Sequence, residues 1–208
     1  NNEDVRYKLQ LAEIYLLLDE SDKSQELLEN LLIENPENQI LLNLLTITYS
    51  EQEDFFKLAD ISQKFIKIFP DITDGYENLA ISYMNLKEYQ DVLDISSLGK
   101  IKFPKNVTFP YFMGDTYLRL NDYHSAKREF LEALELSPEN RVIRLSLITV
   151  FEGLLEYNSS DSLFNYLYIE DDNDATSINN YAYSICMRTS ISDTTLIFAL
   201  ELAKKALI

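Results

Sequence analysis

Three places in this 208-residue sequence carry side chains able to do chemistry, and each falls short of a complete set. His124 is the only histidine and lies in the polar stretch Asn121–Ser125, expected to be an exposed turn. One imidazole cannot build a two-histidine metal site, and nothing around it supports a histidine-dependent triad. Cys186 is the only cysteine, so no disulfide can form within the chain; its apolar helical surroundings read as those of a small core residue. The acidic run Glu170-Asp171-Asp172-Asn173-Asp174 is the best metal candidate. A calcium loop of the EF type needs a glycine at its sixth position and a glutamate at its twelfth. Counted from Asp172 those positions hold Ser177 and Tyr183, so the pattern fails. The run reads instead as a solvated loop, with Asp174 capping the helix that follows.

No HExxH, GxGxxG or Walker lysine motif is present. The four glycines stand apart at Gly75, Gly99, Gly114 and Gly153, too scattered for a phosphate-cradling loop. The expectation is therefore no catalytic residue, no cofactor, no metal and no enzyme activity. A net charge of −17 repels phosphate backbones and excludes nucleic acid as the expected partner, while favouring a neutral or basic one. No apolar run approaches the length of a membrane span. The opening NNEDVRYKL is not a signal peptide, and the compartment stays open between cytoplasm and bacterial periplasm.

What could position any site is a repeat. Pro36, Pro70, Pro104 and Pro138 recur every 34 residues, as do Tyr15, Tyr49, Tyr83 and Tyr117, with Phe151 continuing that row. Ala12, Thr46, Ala80, Gly114, Ile148 and Ala182 form a third, mostly small row. Within each period the pattern is helix, short turn, helix. In the third, a first helix carries Leu79, Ala80, Tyr83 and Leu86 on one stripe, and a second runs from about Tyr89 to Lys102. The second stops before Pro104 because proline disfavours helical geometry in the preceding residue. Two residues after the prolines come Asn38, Ile72, Asn106 and Asn140, where asparagine can cap the next helix. One hairpin cannot bury both of its faces, whereas stacked hairpins can.

These rows resemble the tetratricopeptide repeat family, whose 34-residue signature runs aromatic, Leu-Gly, Tyr, Ala, aromatic, Ala, Pro. Residues 107–140 match best, through Gly114, Tyr117, Ala126, Phe130, Ala133 and Pro138. Residues 73–106 match through Tyr76, Leu79, Ala80, Tyr83 and Pro104, but hold Val92, Ser96 and Gly99 where Ala, an aromatic and Ala are usual. Residues 5–38 and 39–72 keep the tyrosine and proline, and residues 141–174 are degenerate. A sixth unit, 175–208, places Ala182 and Ala199 five residues further apart than usual, so its turn around 189–195 is expected to be longer. The resemblance implies an all-α, right-handed superhelical solenoid of about twelve helices in a single array over residues 1–208. The apolar last helix suggests a piece of a larger protein, or an end covered by a partner. Composition rich in Asn and Ile points to a bacterial source.

In that family the first helices of successive hairpins line a concave groove. Carried onto this chain, the groove positions include Leu44, Ile47, Asn78, Ile81, Met84, Tyr111, Phe112, Asp115, Leu118, Arg119 and Leu145. Most of these are apolar, so the negative charge is not expected to concentrate there. The resemblance implies a protein-interaction scaffold that takes an apolar or amphipathic segment of a protein or peptide, with Met84, Tyr111 and Phe112 as anchors. Asn78, Asp115 and Arg119 would fix its orientation. Partial burial of these positions in the core is the competing reading. The carboxylate-clamp members of the family use Lys, Asn and Arg at set groove positions; here those hold Leu9, Glu13, Leu44, Asp74 and Asn78, so that sub-type is excluded. Two alternatives remain: a structural module that stacks or forms homo-oligomers, and a regulatory appendage to an enzyme or an envelope or secretion machine.

Overall fold

A computed structural model of the chain describes residues 2–189 and 191–207; Asn1, Ser190 and Ile208, the ends of the expected array and one residue of its last turn, lie outside the described residues. The described residues form twelve α-helices and no strand. In chain order these are α1 (Asn2–Leu17), α2 (Ser21–Glu34), α3 (Gln39–Glu51), α4 (Phe55–Ile68), α5 (Thr73–Leu86) and α6 (Tyr89–Lys102). They continue as α7 (Thr108–Arg119), α8 (Tyr123–Leu136), α9 (Arg141–Gly153), α10 (Tyr157–Glu170), α11 (Ala175–Cys186) and α12 (Asp193–Lys205).

The repeat rows set the helix ends. α2, α4, α6 and α8 each stop two residues before a proline of the 34-residue row, and the intervening Asn35, Phe69, Phe103 or Ser137 has left helical geometry. α10 stops in the same register although Asp172 stands where the proline would be. Asn38 accepts from the amides of Ile40 and Leu41, and Asn140 from those of Val142 and Ile143, so each caps its helix. Asn106 accepts from the Thr108 amide at 2.7 Å. Ile72, with no acceptor, leaves α5 without a side-chain cap.

The turn inside each of the first five hairpins is built alike. Asp19, Glu53, Lys87, Asn121 and Leu155, spaced 34 apart, all adopt positive φ of 55–62°. The next residue's amide reaches back to the carbonyl of the tyrosine-row residue: Glu20 to Tyr15, Asp54 to Tyr49, Glu88 to Tyr83, Asp122 to Tyr117 and Glu156 to Phe151, at 2.8–2.9 Å. This is the Schellman closure, usually made with glycine at the left-handed residue. No glycine serves here. The sixth connection differs, as expected, spanning 187–192. The extra residues lengthen that connection and also start α12 early, one turn ahead of the register of α8.

The chain divides into two compact units, one ending at Thr116 and the other beginning at Tyr117, so the boundary falls inside α7. The first unit buries Leu28, Leu41, Leu45, Leu58 and Phe65 at the centre of its core. The second buries Phe164, Leu167, Ile178, Tyr181 and Ile185, with the Phe164 and Tyr181 rings stacked at 4.6 Å. Full burial of each such side chain contributes about 1.5–3 kcal/mol. In the small row, Ala12, Ala80 and Ala182 are buried, which lets the two helices of a hairpin approach; in the first, the Ser24 hydroxyl reaches the Ala12 carbonyl at 3.1 Å.

Where one hairpin meets the next, side-chain volumes compensate. On Gly75, which opens α5, an added Cβ would lie 2.9 Å from Ile66 and 3.1 Å from Phe65 of α4. One repeat later the two types have exchanged places: Gly99 of α6 faces Phe109 of α7, and a Cβ on Gly99 would lie 2.4 Å from that ring. Gly99 replaces the usual alanine because a phenylalanine fills its space.

Candidate functional site

The first helices of the hairpins line a hollow in each unit. In the first unit a cavity of about 420 Å3 lies between α3 and α5, lined by Asn43, Thr46, Ile47, Ser50, Glu51, Asp74, Glu77 and Asn78. Of the expected groove residues, Ile47 and Asn78 are here, Ile47 exposed and Asn78 half-buried. Ile81 and Met84 follow on α5, both half-buried, and Ile81 packs against the core. Leu44 is buried in that core at 7% exposure, so it supports the surface from beneath rather than presenting a contact. On α7, Tyr111, Phe112 and Asp115 are half-buried, with the two rings tilted at 6.2 Å.

The charge of the first hollow departs from expectation. Three carboxylates line it and none of its described lining residues is a lysine or arginine. Ser21 donates to Glu51 at 3.0 Å, Asn106 to Glu77 at 2.6 Å and Thr73 to Asp74 at 3.3 Å, all neutral donors. The hollow is thus electronegative, with an apolar spot at Ile47. Acid does not dominate the groove positions of the five repeats taken together; the clustering is local to the second and third.

In the second unit a cavity of about 450 Å3 is lined by Leu145, Ile148, Thr149, Glu152, Phe164, Asn180, Tyr183, Ser184 and Met187. Leu145 is half-buried against the second core, Leu118 is half-buried and Arg119 exposed on α7. The lining is mainly apolar, and its one acid is neutralised. Arg188 donates to Glu152 at 3.3 Å, to both oxygens of Asp161 at 2.6 and 2.9 Å, and to Ser184 at 3.0 Å. Its guanidinium also lies over the Tyr157 ring, 4.7 Å from the centroid. Burial and, after it, the Asp161 carboxylate push the phenol of Tyr181 up to about 12, so that group stays neutral within the second core.

Asn180, Tyr183 and Met187 lay outside the sequence-level set, which stopped at the fifth repeat. Extending the same positions by 34 residues finds all three, with Tyr183 and Met187 strongly exposed. Cys186, expected in the core, is exposed: α11 turns it away from the buried stripe of Ile178, Tyr181 and Ile185. His124 lies in the first turn of α8 rather than in the preceding turn, and is exposed. Asp174 caps α11, accepting from the Ser177 amide at 3.2 Å, and pairs with Arg141. Among the described residues no cluster of three or more metal-ligating side chains occurs, and no helix is long and apolar enough to cross a membrane.

The sequence of residues 111–140 matches the family model for the tetratricopeptide repeat. Among solved structures, a tetratricopeptide repeat protein of Parabacteroides merdae is similar with a TM-score of 0.76 at 20% identity, over 99% of this chain and 79% of that one. A thermophilic protein of the same kind from Thermus thermophilus gives 0.64 at 18% identity, over 88% and 100% of the two chains. YrrB, described as having an unusual peptide-binding site, gives 0.67 at 16% identity, over 86% and 90%. With Gly114, Tyr117, Ala126, Ala133 and Pro138 in place, residues 111–140 are a tetratricopeptide repeat, and the chain has the tetratricopeptide repeat fold.

Proposed function

We propose that the protein is a non-enzymatic interaction scaffold whose first helices hold an amphipathic segment of a partner protein. The observation that carries this reading is the band of half-exposed apolar side chains Ile47, Ile81, Met84, Tyr111 and Phe112 beside an acid-lined hollow. Apolar anchors supply affinity and the carboxylates of Glu51, Asp74 and Glu77 favour a segment that also carries a basic side chain. Asn78 and Asp115 orient it. In the second unit, Leu118, Arg119 and Leu145, with Tyr183 and Met187 added, form the corresponding surface. The peptide-binding character of YrrB agrees with this reading.

The test is the double substitution Tyr111→Ala/Phe112→Ala. Partners captured by the wild-type chain are identified, and the segment recovered is titrated against both proteins. Loss of at least tenfold in affinity with unchanged far-ultraviolet circular dichroism is expected, since two aromatic anchors together contribute more than about 1.4 kcal/mol. Undiminished binding by the double variant would sink the assignment.

A further inference from the structure

Three charged residues of the second unit break the repeat, and they meet in one network. Glu152 stands where the earlier repeats hold Leu16, Ser50, Met84 and Leu118. Arg188 stands where they hold Leu18, Gln52, Leu86, Leu120 and Leu154. Asp161, in the row of Gln25, Ala59, Leu93 and Lys127, is the acid among them. The Arg188 side chain is only 9% exposed and ties α9 to α10, reaching Glu152 at 3.3 Å and both oxygens of Asp161. Ser160 donates to the same oxygen of Glu152, and the buried Arg188 Nε has no hydrogen-bond partner among the described residues. A buried ion network with a donor unmet is a poor source of stability, since apolar residues of similar volume serve as well or better.

What the network adjoins is the hollow of the second unit. Glu152 and Ser184, both bonded by Arg188, are in its wall, and Met187 of its lip precedes Arg188 in the chain. Ile148 and Phe164, also in the lining, are buried members of the second core. This hollow uses repeat positions of the first one, three periods later: Asn43, Thr46, Ile47 and Ser50 become Leu145, Ile148, Thr149 and Glu152. The first hollow meets its three carboxylates with neutral donors, whereas the second sets its single one against a buried cation. A basic side chain entering the second hollow approaches a guanidinium already beside the carboxylate that could hold it, and an acidic one approaches that carboxylate. An aromatic or large aliphatic side chain meets neither repulsion and gains contact with core carbon.

We propose that Arg188 sets the specificity of this hollow: by holding Glu152 it reserves the space for an uncharged, apolar side chain of the partner segment and turns a basic one away. Arg188 is thus a positioning residue that acts through Glu152. This role rests on the reading of the second-unit surface as a docking place, but small probes can report it without any partner. A failed capture at Tyr111 and Phe112 and a failed probe at Met187 are therefore separate results.

Met84, Met113 and Met187 are the chain's three methionines: the first lies in the first unit's apolar band, the second is buried, and the third is on the lip of the second hollow. Isotope-labelled methionine methyl groups, followed by NMR in the full chain, therefore report the two surfaces separately. N-acetyl-phenylalanine amide and N-acetyl-lysine amide are titrated to about 50 mM, enough to detect millimolar binding. The Met187 signal should respond to the phenylalanine derivative with an affinity at least threefold above that for the lysine derivative. In Arg188→Gln the lysine derivative should gain at least threefold, and Glu152→Gln added to that variant should remove the gain. Arg188→Lys keeps a cation beside Glu152 and should keep the wild-type order. Loss of shape alone would weaken both probes together and would not be undone at Glu152. Wild-type Met187 that does not prefer the phenylalanine derivative overturns the proposal, whether or not Arg188→Gln folds. So does a folded Arg188→Gln variant that keeps the wild-type order or weakens both probes alike.

Discussion

Gly99→Ala puts the packing argument at risk in a single atom. Glycine in the last turn of α6 weakens the helix, so on propensity alone the substitution should stabilise by up to about 1 kcal/mol. The structure opposes that. The new Cβ would lie 2.4, 2.5 and 2.6 Å from three carbons of the Phe109 ring, closer than real side-chain contacts come. That ring cannot easily withdraw: it is fully buried and stacks on Phe103 at 6.1 Å. Phe103 in turn meets the edge of Tyr76 at 5.5 Å, and Tyr76 is tied by its hydroxyl to the Pro70 carbonyl at 3.0 Å. Overpacking a core site costs about 1–3 kcal/mol, and three sub-contact atoms against a braced ring place this case in the upper half. The net is a loss of about 1–2 kcal/mol, or roughly 2–8 °C in melting temperature for a chain of this size. Thermal melts and urea titrations followed by circular dichroism measure it. In a Phe109→Leu background the clash is removed, and the same Gly99→Ala change should turn neutral or stabilising. A gain in stability from Gly99→Ala alone, or an equal loss in both backgrounds, would refute the reasoning.

Leu155→Gly should act in the opposite direction. Leu155 is exposed and held at a φ of 59°, where a side chain costs about 1–2 kcal/mol, so glycine should raise stability by about 0.5–1 kcal/mol after its larger unfolded-state entropy is counted; an equally exposed site at negative φ is the control. Acid sensitivity should trace partly to caps. Asp174 is held below the usual carboxylate range chiefly by the Ser177 hydroxyl it accepts from, then by the Ser177 amide and Arg141, and Asp122 similarly by Ser125. A depressed folded pKa contributes stability that is present above the unfolded value near 4 and lost as pH falls through the folded one. Asp174→Asn keeps a capping oxygen but no charge, so its deficit in melting temperature should be open at neutral pH and shrink as pH drops below about 4. A deficit that is constant with pH contradicts the linkage.

The fold was legible because its determinants repeat. A proline ends a helix by steric clash with its neighbour, and asparagine two residues later offers an oxygen to the next helix; both act locally and leave fixed residue types at fixed spacing. The left-handed turn residue was not legible. Asp19, Glu53, Lys87, Asn121 and Leu155 share a backbone conformation without sharing chemistry, because the closure uses main-chain amides and carbonyls. The exchange of Phe65 and Gly75 for Gly99 and Phe109 was hidden for a related reason: each residue is anomalous alone and explicable only with its partner across the junction. For the surface, spacing identified Ile47, Asn78 and Leu145, which do line hollows, but could not separate them from Leu44. Three residues distinguish Leu44 from Ile47 on α3, and that rotation takes one into the core and leaves the other in solvent.

A repeat of this kind divides its positions among three physical tasks: closing the hairpin, joining hairpins, and facing outward. The first two tolerate substitution only when the volume or the backbone geometry is restored elsewhere, as Gly99 is by Phe109. Outward positions are under no such constraint, so their chemistry reports on what touches them. At interior repeats the outward set mixes Ile47, Asn78, Glu51 and Asp74, a polar hollow with an apolar spot that suits a segment bearing both characters.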